Sequence, residues 1–96
     1  MNIEFTKNNG DLYASLDGRL DTTTAPKFEQ FFTDNYVDAV TLTINCEKLE
    51  YISSAGLRVL LLAQKKMKGS VKLTNVCELV MEVFEITGFV DILTIE

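Results

Sequence analysis

Tyr51-Ile52-Ser53-Ser54-Ala55-Gly56-Leu57-Arg58-Val59-Leu60-Leu61 is the stretch on which the fold turns. Two small hydroxyl residues stand between an apolar strand exit and the start of an apolar helix. Serine suits that position because its oxygen can accept from the free N–H groups of a helix's first turn. Behind the serines, Leu57, Leu60, Leu61 and Met67 recur at helical spacing, and Val59, Leu62 and Ala63 widen the apolar surface. The pattern predicts a largely buried helix over 55–68. Lys65, Lys66 and Lys68 sit where cations suit the negative end of the dipole, and Gly69 is the expected C-cap. Ahead of the serines, Val40-Thr41-Leu42-Thr43-Ile44 is short and rich in β-branched residues, which predicts a strand.

The same alternation extends in both directions. Ile3 to Thr6 alternates apolar and polar residues, Asn8-Asn9-Gly10-Asp11 is a turn cluster, and Leu12 to Leu16 reads as the returning strand of a hairpin. Thr22, Thr23 and Thr24 precede Pro26, a cap followed by a first-turn proline, and then Phe28, Phe31, Phe32 and Tyr36 form an apolar helical stripe expected to pack in the core. Val71 to Leu73 reads as another strand. A third helix is expected from Cys77 to Thr87, with Leu79, Val80, Val83 and Phe84 on one face and Gly88 at its end. Ile92 to Ile95 reads as a last short edge strand. The order β-β-α-β-α-β-α-β predicts an α/β fold. It has one mixed sheet of about five strands, an N-terminal hairpin and then parallel strands joined by helices.

Whole-chain numbers bound the function. With 96 residues the chain makes one domain, spanning 1–96. Hydrophobic residues at 47% and charged residues at 24% are globular values. The net charge of −5, from 14 acids and 9 bases, disfavours nucleic acid and anionic lipid as partners. The longest apolar run, Val59 to Ala63, is too short to span a bilayer, so no direct membrane insertion is expected. Met1-Asn2-Ile3-Glu4 has neither a basic nor an apolar leader region, so a cytoplasmic location with reduced Cys46 and Cys77 is expected.

Catalysis finds little to work with. Histidine is absent, which removes the commonest general base and metal ligand and rules out a Ser-His-Asp triad. Cys46, in Asn45-Cys46-Glu47, lacks a partner to lower its pKa and reads as a small buried hydrophobe. No phosphate loop and no metal-ligand spacing occurs, and Glu47 and Glu50 give no paired acid–base arrangement. No cofactor, no metal and no enzymatic activity are expected. Two segments remain: the serine step, and Gly18-Arg19-Leu20-Asp21-Thr22-Thr23-Thr24. In the second, Gly18 permits a tight turn or bulge and Asp21 can bond the amides of the next residues.

Three motifs resemble the STAS domain, the anti-sigma factor antagonist family. They are Gly18-Arg19-Leu20-Asp21 before a helix, Tyr51 to Arg58 after a strand, and Val83-Phe84-Glu85-Ile86-Thr87-Gly88-Phe89. The resemblance spans nearly the whole chain, and the serine motif is its most specific part.

The resemblance implies a partner-switching regulator. It binds an anti-sigma factor that is also a serine kinase of the GHKL type, and it is released when that kinase phosphorylates a serine at the start of the second helix. A PP2C-type phosphatase restores it. A phosphate on an acidic docking face would oppose rebinding. The acceptor of the best-studied members immediately precedes the glycine, a position held here by Ala55, and the usual acid at the strand end is Asn45. The implied acceptor is therefore Ser54, then Ser53, or neither. The implied partner surface is Arg19, Asp21, Thr22, Ser53, Ser54, Ala55, Gly56 and Arg58. An isolated monomer is expected. The alternative is a non-phosphorylated STAS subunit of a lipid-transport or signalling assembly.

Overall fold

The computed structural model describes residues 1–96. Five strands form one sheet: β1 (Asn2–Asn8), β2 (Asp11–Leu20), β3 (Thr41–Ile52), β4 (Val71–Thr74) and β5 (Thr94–Ile95). Three helices join the later strands: α1 (Ala25–Asn35), α2 (Ser54–Lys66) and α3 (Glu78–Thr87). The spatial order is β1-β2-β3-β4-β5, with β1 antiparallel to β2 and the remaining pairs parallel. The predicted architecture and element order are therefore those of the molecule.

Each crossover advances one strand in the same direction. Right-handed connections of that kind place every helix on one face of the sheet. Burial along β3 agrees: Leu42, Ile44 and Cys46 are buried, while Thr43 and Asn45 between them remain partly accessible. The core is a cluster of 23 apolar residues in which Phe28, Phe32 and Phe84 are the largest enclosed side chains. Gly56 is the one further buried residue, and no polar or charged residue is buried as a whole. Stability thus rests on apolar burial, at roughly 25 cal/mol per Å² removed from water. No helix is long and apolar enough to cross a membrane.

Several boundaries differ from expectation. β3 does not stop at Ile44 but runs on to Ile52, and β2 runs on to Leu20. The ten residues of β2 pair with the twelve of β3 because the register shifts twice, between Ser15 and Asp17 and between Gly18 and Arg19. In both places the extra residue lies in β3, as a bulge. Those bulges break the alternation of Glu47, Lys48 and Glu50 that a strand reading requires. Phe89–Asp91 form a 3-10 turn, so β5 is only two residues long, at the sheet edge. In α3, Val80 and Phe84 are buried as expected, but Leu79 is 53% exposed.

Candidate functional site

The two segments singled out in the sequence meet at the C-terminal end of β2 and β3. Arg19 lies in register with Tyr51, and Leu20 with Ile52. Beyond the last pair, the Ser53 N–H donates to the Leu20 carbonyl at 2.9 Å, carrying the ladder one residue further. The Arg19 guanidinium lies over the Tyr51 ring, 4.2 Å from its centroid, within cation–π range. Gly18, opposite the second bulge, has φ +111°, a backbone conformation that favours glycine.

Asp21 organises the loop after β2. Its Oδ1 accepts from the Thr23 N–H at 3.0 Å, the Thr23 hydroxyl at 2.8 Å and the Thr24 N–H at 3.3 Å. The Asp21 N–H in turn donates to Thr24 Oγ1 at 2.9 Å, and that hydroxyl donates to the Arg19 carbonyl at 2.7 Å. The exchange between Asp21 and Thr24 is a capping box one turn ahead of α1. Thr24 is the N-cap residue of α1, as expected, but its hydroxyl bonds back into the loop and not to the helix. The hydrogen bond from the Thr23 hydroxyl, followed by those from the backbone, holds the Asp21 carboxyl below the usual carboxylate range despite partial desolvation. Its second oxygen stands 3.7 Å from Arg19 Nε.

The serine step divides its two hydroxyls between inside and outside. Ser53 is the N-cap of α2, but its side chain makes no capping bond, and its Oγ is sealed from solvent without a partner. Ser54 opens the helix and is exposed. Arg58, four residues on and also exposed, shares its helical face. The helix can begin here because Gly56 has no side chain. A Cβ on it would lie 2.8 Å from Ile52 Cγ1 and 2.9 Å from both Leu20 Cγ and the Leu20 carbonyl oxygen.

Of the eight residues implied as a partner surface, Arg19, Thr22, Ser54 and Arg58 are exposed, while Asp21, Ser53 and Ala55 are partly covered. Gly56 is buried and presents no surface; its part is to let α2 approach the strand ends. The face is not acidic either. Its ionic members are Arg19, Arg58 and Asp21, and Asp21 is committed to the cap. Thr23, which is not among those eight, is exposed beside Thr22 and bonds Asp21. Asn45 in β3 accepts from Asn75 Nδ2, just past the end of β4, at 3.0 Å.

Both cysteines are free thiols. Burial, with a smaller contribution from the charge of Cys77, pushes the Cys46 thiol up to about 12. No group of three or more potential ligands is arranged to hold a metal ion.

The sequence model of the STAS domain matches residues 2–96. The chain is 30% identical to the anti-sigma-B factor antagonist of Bacillus subtilis, covering 99% of this chain and 90% of that protein. It is 38% identical to BtrV, a candidate anti-sigma factor antagonist of Bordetella bronchiseptica, covering 96% of this chain and 83% of that protein. Among solved structures, an anti-sigma factor antagonist from Mycobacterium paratuberculosis superposes with a TM-score of 0.87 at 22% identity. That match covers 98% of this chain and 83% of the other and shows the shared fold.

Proposed function

The chain belongs to the STAS domain family, and from that premise we propose that it is an anti-sigma factor antagonist that docks a serine kinase and is switched by phosphorylation of Ser54. The carrying observation is the exposed Ser54 hydroxyl at the first position of α2, next to Ser53, whose N–H bonds the last residue of β2. The helix start favours a negative group through its free N–H groups and dipole. A phosphate brings about −1.5 to −2 charges at pH 7. Set one helical turn from Arg58 and near the end of β2, it reverses the sign of a face whose ionic members are Arg19, Arg58 and Asp21. A kinase that docks acidic side chains on Arg19 and Arg58 is then repelled. Repulsion thus arises by inverting a basic face, not by adding to an acidic one. A phosphatase of the PP2C type reverses the change. The chain itself performs no chemistry in this cycle.

The test is incubation with ATP and a GHKL-type anti-sigma factor kinase from the same organism, followed by phosphosite mapping and calorimetry. Phosphate on Ser54 with loss of binding supports the reading. Phosphate on Ser53, whose oxygen is sealed, or no phosphate at all overturns the assignment.

Ala55, in the column where the resemblance places the acceptor, favours a second reading: a permanent, unmodified subunit of a lipid-transport or signalling assembly. Recovery of a transporter ATPase as the stable partner, with no phosphate, selects it.

A further inference from the structure

The chain's charge surplus is confined to one region. Residues 73–96 contain Glu78, Glu82, Glu85, Asp91 and Glu96 and no Lys or Arg. The other 9 acids face 9 bases in residues 1–72, so the whole net charge of −5 belongs to α3 and the C-terminal segment beyond it. The same region holds four of the seven large apolar side chains left exposed: Leu79 at 53%, Ile86 at 85%, Val90 at 39% and Ile92 at 44%.

These features meet on α3. Leu79, Val83 and Ile86 are spaced i, i+4, i+7 and form one stripe, with Val83 half-buried between its exposed neighbours. Glu78, Glu82 and Glu85 are likewise three and four apart and form an adjoining row. Glu78 suits the positive end of the dipole in the first turn and Val83 packs against the core, but Leu79, Ile86, Glu82 and Glu85 gain nothing from the helix itself. Like charges at those spacings repel, and Glu85 stands near the negative end of the dipole. Local rules broken without local gain mark surfaces kept for another purpose. An apolar stripe with a polar margin is the usual form of an interaction site.

We propose that the outer face of α3 is a second docking surface, distinct from the Ser54 face, and that its occupant is an amphipathic helix with a Lys/Arg margin from a partner protein. Charge decides between occupants. Two copies packed stripe to stripe bring glutamate rows together, and a nucleic acid or an anionic membrane meets the same repulsion. A helix with an apolar seam and basic flanks covers the stripe and neutralises the row.

The experiment titrates the isotope-labelled full chain with three synthetic peptides, followed by NMR. One is an amphipathic Leu/Lys helix, one its Leu/Glu counterpart, and one a Leu/Lys peptide of scrambled pattern. The expected result is salt-sensitive binding of the first alone, with shifts centred on Leu79, Val83 and Ile86. Affinity falls at least about tenfold in Leu79→Gln/Ile86→Gln. The salt dependence disappears in Glu78→Gln/Glu82→Gln/Glu85→Gln. Ile86→Gln alone, at the most exposed position, guards against misfolding of the double variant. Ser54→Asp leaves the titration unchanged, so this surface and the phosphorylation switch fail or stand separately. Shifts centred elsewhere, equal binding of the scrambled peptide, or undiminished affinity in the Gln variants overturns the proposal. So does a wild-type dimer in sedimentation that Ile86→Gln dissociates, which makes a second copy the occupant.

Discussion

Gly56 and Leu20 are so close that a Cβ on the glycine would stand 2.9 Å from the Leu20 carbonyl oxygen. That oxygen cannot give way freely, because it accepts from the Ser53 N–H at 2.9 Å. The contact sets the depth at which α2 starts, and so how far Ser54 projects.

Gly56→Val is therefore expected to destabilise the fold by about 3 kcal/mol, the upper range for overpacking a filled interior. In a domain of this size that lowers the melting temperature by on the order of 10–20 °C. Calorimetry checks it; an unchanged melting temperature means the neighbours yield and the contact constrains nothing.

The two serines should separate in opposite ways. Ser54→Asp is expected to weaken kinase binding at least about tenfold while the melting temperature holds, since its side chain is exposed. Isothermal titration that finds equal affinity removes Ser54 as the switch. Ser53→Ala takes away a sealed oxygen with no partner. The variant should be as stable as the parent or up to about 2 kcal/mol more stable, because an unsatisfied buried hydroxyl costs that much. A clear loss of stability would reveal a capping bond made in solution.

Asp21 gives a pH signature. Its carboxyl is held low by the Thr23 and Thr24 donors. A group depressed in the folded state contributes stability above its unfolded pKa, about 3.9, and loses it as pH falls through the lower folded value. The stability gap between the parent and Asp21→Asn should thus be full at neutral pH and close below about pH 4. Urea titrations across that range test it. A gap that does not narrow as pH falls below about 3.9 assigns the effect to shape, not charge.

Thiol reactivity should be uneven. Cys46 is enclosed, and its pKa is pushed up to about 12 by burial first and the charge of Cys77 second. Cys77 is only partly covered. At about pH 8 an alkylating probe should label Cys77 first, and Cys46 only on unfolding. Mass spectrometry of the partly labelled chain decides, and prior labelling at Cys46 contradicts the packing.

Much of this architecture is legible in the residues. The Asn9-Gly10 turn, the β-branched run at Val40 to Ile44, the first-turn Pro26 and the terminal Gly88 each act locally, and local signals survive folding. The illegible remainder depends on contacts between distant segments. Glu47, Lys48 and Glu50 look unlike a strand, yet their ladder is completed by β2. Leu79 looks like core because α3 is apolar on more than one side, and periodicity alone cannot say which side meets the sheet. Which serine turns outward hangs on the geometry where β2, β3 and α2 join, a matter of ångströms that no spacing rule encodes.

The paired bulges in β3 carry a consequence for how the family's chains can vary in length. Each one slips the in–out rhythm by half a beat, and together they restore it: Leu42, Ile44 and Cys46 point inward, then Leu49, then Ile52. Removing the extra residue at either slip, between Cys46 and Leu49 or between Leu49 and Ile52, would straighten the strand there and still leave Leu49 and Ile52 inward. Removing a residue from the one-to-one run before the slips, Leu42 to Asn45, would instead turn the inward side chains on one side of the gap toward solvent. This segment should therefore tolerate shortening at its bulges far better than in its regular run.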